Sequence, residues 1–137
     1  MRKPQRNLTS RIARRLIGVW LMADGIWAGL WFAGLAVSMG GRDAVSVIAI
    51  VARLMVAALS VVSGLFISQR TPAGEPLGIG ALVLMAAFAI IDAGTGVLPS
   101  NLDPSFRWPA AWVQVAGAIV AIVFLRGENV THGSTGS

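Results

Sequence analysis

Within the long apolar stretches of this chain, few groups can hold a proton, a charge or a ligand: Asp24, Arg53, Asp92, Gln114, a few Ser and Thr hydroxyls, and the Trp indoles. Asp24 stands out because it interrupts "GVWLMADGIWAGLWFAG", where an aliphatic residue would serve a membrane span better. At about 100° per residue, Trp20, Asp24, Trp27 and Trp31 share one helical face, while Gly18, Gly25, Gly29 and Ala36 share another. A carboxylate among indoles suits an organic cation, since the indole face attracts positive charge. It is equally suited to taking up and releasing a proton, to meeting another subunit, or to pinning the bundle by bonding Ser60, Gln114 or an indole N–H. Gly25 and Gly29 form a GxxxG pair, the expected packing face of this helix.

Depth selects a partner for the buried arginine. Arg53 lies 17 residues from Arg70, and Asp92 lies 17 residues from Glu75, so both sit ~25 Å from one edge of the bilayer. A guanidinium and a carboxylate at one level satisfy each other, and an Arg53–Asp92 pair is the leading expectation. Asp24, nine residues from Arg15, is ~14 Å from that edge, and Gln114 falls between at ~18 Å. A three-membered Asp24, Arg53, Asp92 cluster ranks second, because an arginine can reach several ångströms along a helix.

The elements that must position these groups follow from composition. Of 137 residues, 55% are hydrophobic and 12% charged, about half the charge of an ordinary soluble domain. The apolar residues gather in four runs, each near or above the ~17 residues that cross a hydrocarbon layer as a helix. A backbone in lipid must satisfy its own hydrogen bonds, so the fold class is all-α, a polytopic membrane protein with helices over about 11–38, 44–68, 77–98 and 109–125. Short connections make neighbours antiparallel, giving an up-down-up-down four-transmembrane-helix bundle. Residues 1–10 read as a flexible basic arm, with Thr9 or Ser10 capping the first helix, and 127–137 as a flexible tail. "MGGRDA" reads as a tight turn, Pro76 as the first turn of helix 3, Pro99 as its close, and Pro109 as the start of helix 4.

The first run is preceded by basic residues, but its apolar core of about 23 exceeds the ~15 of a secretion signal, so it is expected to remain as a span. Arg2, Lys3, Arg6, Arg11, Arg14, Arg15, Arg70 and Arg126 flank one side, against Arg42 and Arg107 on the other. This asymmetry places both termini in the cytoplasm. The net charge of +5 is therefore a topology signal, and with no aromatics interleaved in the N-terminal block no nucleic-acid partner is expected. There is no Cys, the only His is His132 in the tail, and the only Lys is Lys3. Thiol chemistry is thereby excluded, no span offers an imidazole to a metal or haem, and no cofactor is expected.

Where the second run reads "ARLMVAALSVVSGLFISQR" and the third ends "AIIDAGTGVLPSNLDP", the chain resembles the small four-helix bacterial membrane proteins of the DoxX-like group and its uncharacterised relatives. The resemblance implies an inner-membrane location, an interior site shared by Arg53 and Asp92, and for some members a link to quinone-dependent redox complexes. The Trp stripe and Asp24 depart from that pattern, so no role carries over to them. Three readings remain: a non-enzymatic accessory or ligand- and lipid-associated module, a proton-coupled transporter of small organic cations using Asp24, and a subunit of a quinone-linked complex. The second requires a homodimer to enclose a path, and the third a larger membrane complex.

Overall fold

The computed structural model describes residues 4–38, 43–96 and 103–133, with side chains over 8–38, 43–96 and 103–127. Four helices make up the fold: α1 (Pro4–Val37), α2 (Ala44–Ser68), α3 (Gly74–Thr95) and α4 (Pro104–Gly133). Each carries a stretch long and apolar enough to cross a membrane. Only 22–28% of each apolar stretch is buried within the bundle. The outward faces carry Ile48, Met55, Leu30 and Val120, an apolar surface far larger than a water-exposed protein tolerates and suited to acyl chains. The chain is a multi-pass membrane protein.

α1 packs on α2, α2 on α3 and α3 on α4, while α1 and α4 meet only locally. The core is Leu21 of α1, Val56 and Ile67 of α2, Ala81, Leu82 and Met85 of α3, and Ala118, Ala121 and Leu125 of α4. Small residues let α1 and α2 approach backbone to backbone. A Cβ at Gly25 would lie 2.6 Å from the Ala57 carbonyl oxygen, and one at Gly64 would lie 2.6 Å from the Gly18 carbonyl oxygen and 3.0 Å from the Met22 nitrogen. Gly29, expected to share this role, has nothing within 4 Å of a built Cβ. The contact face runs through Gly18, Leu21, Gly25 and Ala28, all buried, so the glycines on it are seven residues apart rather than four, and Gly29 falls one position beyond that face.

The helix ends differ from expectation where local caps overrule hydropathy. α1 is helical from Pro4, so most of the segment read as a flexible arm is helix, and Thr9 and Ser10 lie inside it rather than capping it. α4 begins at Pro104, with Pro109 inside, and runs to Gly133 through much of the expected tail. For the start of α4 the physical cause is a cap that the hydropathy pattern hides: Asp103 accepts hydrogen bonds from the Ser105 N–H (3.0 Å) and hydroxyl (2.8 Å), with proline at the first helical position. α3 closes at Gly96, left-handed at φ 61°, whose N–H donates to the Asp92 carbonyl. The Arg107 guanidinium lies against Gly96, a cation at a helix C-terminus. Pro76 does lie in the first turn of α3. Most of the "MGGRDA" turn, including Arg42, and the expected close at Pro99 lie outside the described residues.

At the start of α2, Asp43 accepts from the Ser46 hydroxyl (2.8 Å) and the Ser46 N–H (3.2 Å). The Ser46 hydroxyl first, then the backbone N–H, hold the Asp43 carboxyl below its ordinary value of 3.8. A lowered folded-state value means that the cap stabilises above about pH 3.8 and is lost as pH falls through that lower value. Hydrogen exchange of the Ser46 amide should therefore accelerate only in strong acid, and Asp43→Ala should abolish that pH dependence while leaving the middle of α2 protected.

Candidate functional site

Arg53 is 9% exposed, the one charged side chain among the buried described residues. It belongs to the α2 stripe of Ala57, Ser60 and Gly64 that faces the interior. Its Nη2 lies 3.6 Å from Asp24 Oδ2. The guanidinium thus closes on Asp24, where depth matching favoured Asp92. The register explains how. Gly25 sits against Ala57 and Val61, and Gly18 against Gly64 and Ser68, so position 24 is level with about residue 60 of α2. Arg53 stands roughly 10 Å further along the bundle, close to the offset the depth count gives, and its long side chain spans the gap. Asp92, half-buried near the end of α3, is engaged in interactions of its own.

The Asp24–Arg53 contact is an ion pair without a hydrogen bond. Asp24 Oδ2 and Arg53 Nη1 are both buried, and neither has a hydrogen-bond partner among the described residues. Ser60, a conceivable partner for Asp24, is fully buried, and its hydroxyl donates to the Val56 carbonyl at 2.9 Å. That bond closes a turn within α2 and takes the hydroxyl out of the site.

Asp24 also lines a groove of about 540 Å³ between α1 and α4. Trp20 and Asp24 form its α1 wall, and Phe106, Ala110, Val113 and Gln114 its α4 wall. The groove lies beside the place where α1 and α4 touch. At the closed end the Trp20 ring packs on Gly117, 3.3 Å from where a Cβ would be, with Leu21, Ala118, Ala121 and Leu125 buried beyond it. A side chain at position 117 would require Trp20 to give by a few tenths of an ångström, so the glycine admits the indole at this distance. From there the groove runs past Gln114 and Asp24 toward Phe106, near the start of α4.

The structure therefore brings together Asp24, Trp20, Gln114 and, behind the carboxylate, Arg53. It does not gather the Trp stripe: Trp27 is 74% exposed and Trp31 40%, on the outer surface of α1. Their common face with Asp24 is real in angle, but α4 covers only the Trp20 end of it. Sequence reasoning missed the α4 wall of Phe106, Ala110 and Val113. In the sequence of α4, Ala110, Gln114, Ala118 and Ala121 fall on one helical stripe, and such a run of small residues indicates a packed face and not a gap.

Among the described residues no group of three or more His, Asp or Glu lies close enough to hold a metal ion. Trp108 and Trp112, with centroids 6.5 Å apart, stand exposed near the start of α4, where indoles favour the membrane–water boundary. No family model matches the chain, and neither a characterised protein nor a solved structure is similar enough to match.

Proposed function

We propose that this chain is a non-enzymatic membrane module that holds a lipid or other hydrophobic ligand in the groove between α1 and α4. The observation that carries this reading is Asp24: a carboxylate placed on the wall of an apolar groove within a membrane-spanning bundle, with Arg53 set behind it. Ionisable residues inside a membrane are costly and commonly mark function. A bundle selected for packing alone would gain from apolar residues at positions 24 and 53, and it would close α1 onto α4.

Proton-coupled transport of small organic cations, the other role open to Asp24, is less well supported by this geometry. A cation arriving in the groove meets a carboxylate whose charge Arg53 already balances at 3.6 Å. The distribution of basic residues supports an orientation with both termini cytoplasmic, and the resemblance to the DoxX-like group supports a bacterial inner-membrane setting.

The test is retention of a small molecule. Wild-type protein extracted in mild detergent should carry a lipid-sized adduct in native mass spectrometry. Ala110→Phe, whose ring would occupy the groove without touching Arg53, should lose most of it. An adduct held equally by both proteins, or by neither, would refute the reading.

A further inference from the structure

The groove permits a sharper statement about its occupant, one that rests on its being a binding site at all. Three features bear on the chemistry. First, the site has no net charge: Arg53 and Asp24 form a pair in which Oδ2, the carboxylate oxygen turned toward Arg53, is buried. The Asp24 side chain as a whole retains 24% exposure and lines the groove, so its other oxygen is the acceptor it can offer a ligand there. Second, Gln114 on the facing wall supplies an amide, able both to donate and to accept. Third, the remaining walls are indole, phenyl and aliphatic, and the groove is open at the side, where the surrounding helix surfaces are exposed Leu, Ile and Val.

A ligand reaching this place from the bilayer must already be soluble in hydrocarbon. A permanent cation would gain little from a carboxylate whose charge is spent on Arg53, and would forfeit its own hydration. A second carboxylate would face Asp24 directly. What fits is a neutral lipophile with one small donor group, which can bond the carboxylate without upsetting the balance of charge. The volume of about 540 Å³ accommodates a molecule of drug-like size or a single chain segment.

We propose that the α1/α4 groove binds, by lateral entry from the bilayer, a neutral single-chain lipophile carrying a hydroxyl or comparable hydrogen-bond donor. The donor is received by Asp24 and Gln114, and the chain runs between Trp20, Val113 and Phe106. Arg53 does not touch the ligand; it positions the carboxylate and cancels its charge.

The experiment uses full-length protein in phosphatidylcholine vesicles and three photoactivatable diazirine probes of equal chain length: a primary alcohol, its methyl ether and a trimethylammonium. Crosslinks are mapped by peptide mass spectrometry. The alcohol should label residues 106–114 about fivefold more than the ether, the ratio that one hydrogen bond confers. Gln114→Leu and the paired replacement Asp24→Leu with Arg53→Leu should each erase that ratio, and Ala110→Phe should suppress labelling by all three probes. Labelling of the outer face of α2 around Met55 should change in none of these variants. Preferential labelling by the trimethylammonium would overturn the ligand class and favour a cation site. Equal labelling by alcohol and ether, still blocked by Ala110→Phe, would leave a binding groove but overturn the role of the donor. Groove labelling that Ala110→Phe fails to block would overturn the binding site itself.

Discussion

Replacing Asp24 with leucine should destabilise the bundle by about 3–5 kcal/mol, because it strands the buried Arg53 guanidinium without a counter-charge. The converse change, Arg53→Leu, should cost less. A stranded carboxylate can take up a proton and become neutral, whereas a guanidinium holds its proton at any accessible pH. The double replacement should recover most of the loss, since two apolar side chains in place of an ion pair are often neutral or better. Unfolding in dodecyl maltoside micelles titrated with SDS, followed by Trp fluorescence, provides all four corners of the cycle. A coupling of about 1.5 kcal/mol or more between positions 24 and 53, against less than about 0.5 between 53 and 92, is the expected pattern. The reverse order would return Arg53 to Asp92 and dismantle the site described above.

The second large effect concerns the α1/α2 seam. Gly64→Val should cost at least about 3 kcal/mol, because even its Cβ would sit 2.6 Å from the Gly18 carbonyl oxygen, and backbone on both sides leaves no flexible group to yield. Gly25→Val should behave similarly, meeting the Ala57 carbonyl oxygen at 2.6 Å. Gly29→Val should fall within about 0.5 kcal/mol of wild type, as expected for a position that touches nothing. The same SDS titration distinguishes the two outcomes. Equal penalties at 25 and 29 would restore the four-residue glycine pair and contradict the seven-residue contact. Loss of the seam should also release Asp24 from Arg53, since Gly25 and Gly64 set the register across which the arginine reaches.

Much of this architecture is readable from residue types in order. Four apolar runs with short polar connections leave a bilayer-spanning chain little choice but four antiparallel helices, because lipid offers no partner to an unbonded peptide group. Depth, too, is linear in residue number along a helix. The ~11 Å offset between Asp24 and Arg53 that follows from counting agrees with the register that Gly18, Gly25 and Gly64 impose. The stripe containing Arg53, Ala57, Ser60 and Gly64 faces inward as its spacing demands. The helix ends were harder to read. Asp103 and Gly96 set them through hydrogen bonds and a left-handed turn, signals of one residue each that hydropathy averages away.

Tertiary structure alone decided which carboxylate meets Arg53 and where a groove opens. Asp92 and Asp24 were both within an arginine's reach, and equal depth favours the former only if the side chain extends straight across. The guanidinium instead lies along the bundle to Asp24, a choice set by how α1 and α2 interlock at their glycines. The groove depends on something subtler still. Trp20 on Gly117, with Leu21 in the core beside Ala118, Ala121 and Leu125, joins α1 to α4 at one end, and Asp24 and Gln114 line the groove beside that junction. Periodicity tells which residues share a face of one helix, but the angle between two helices arises from every side chain packed between them, and no single segment of the chain contains it.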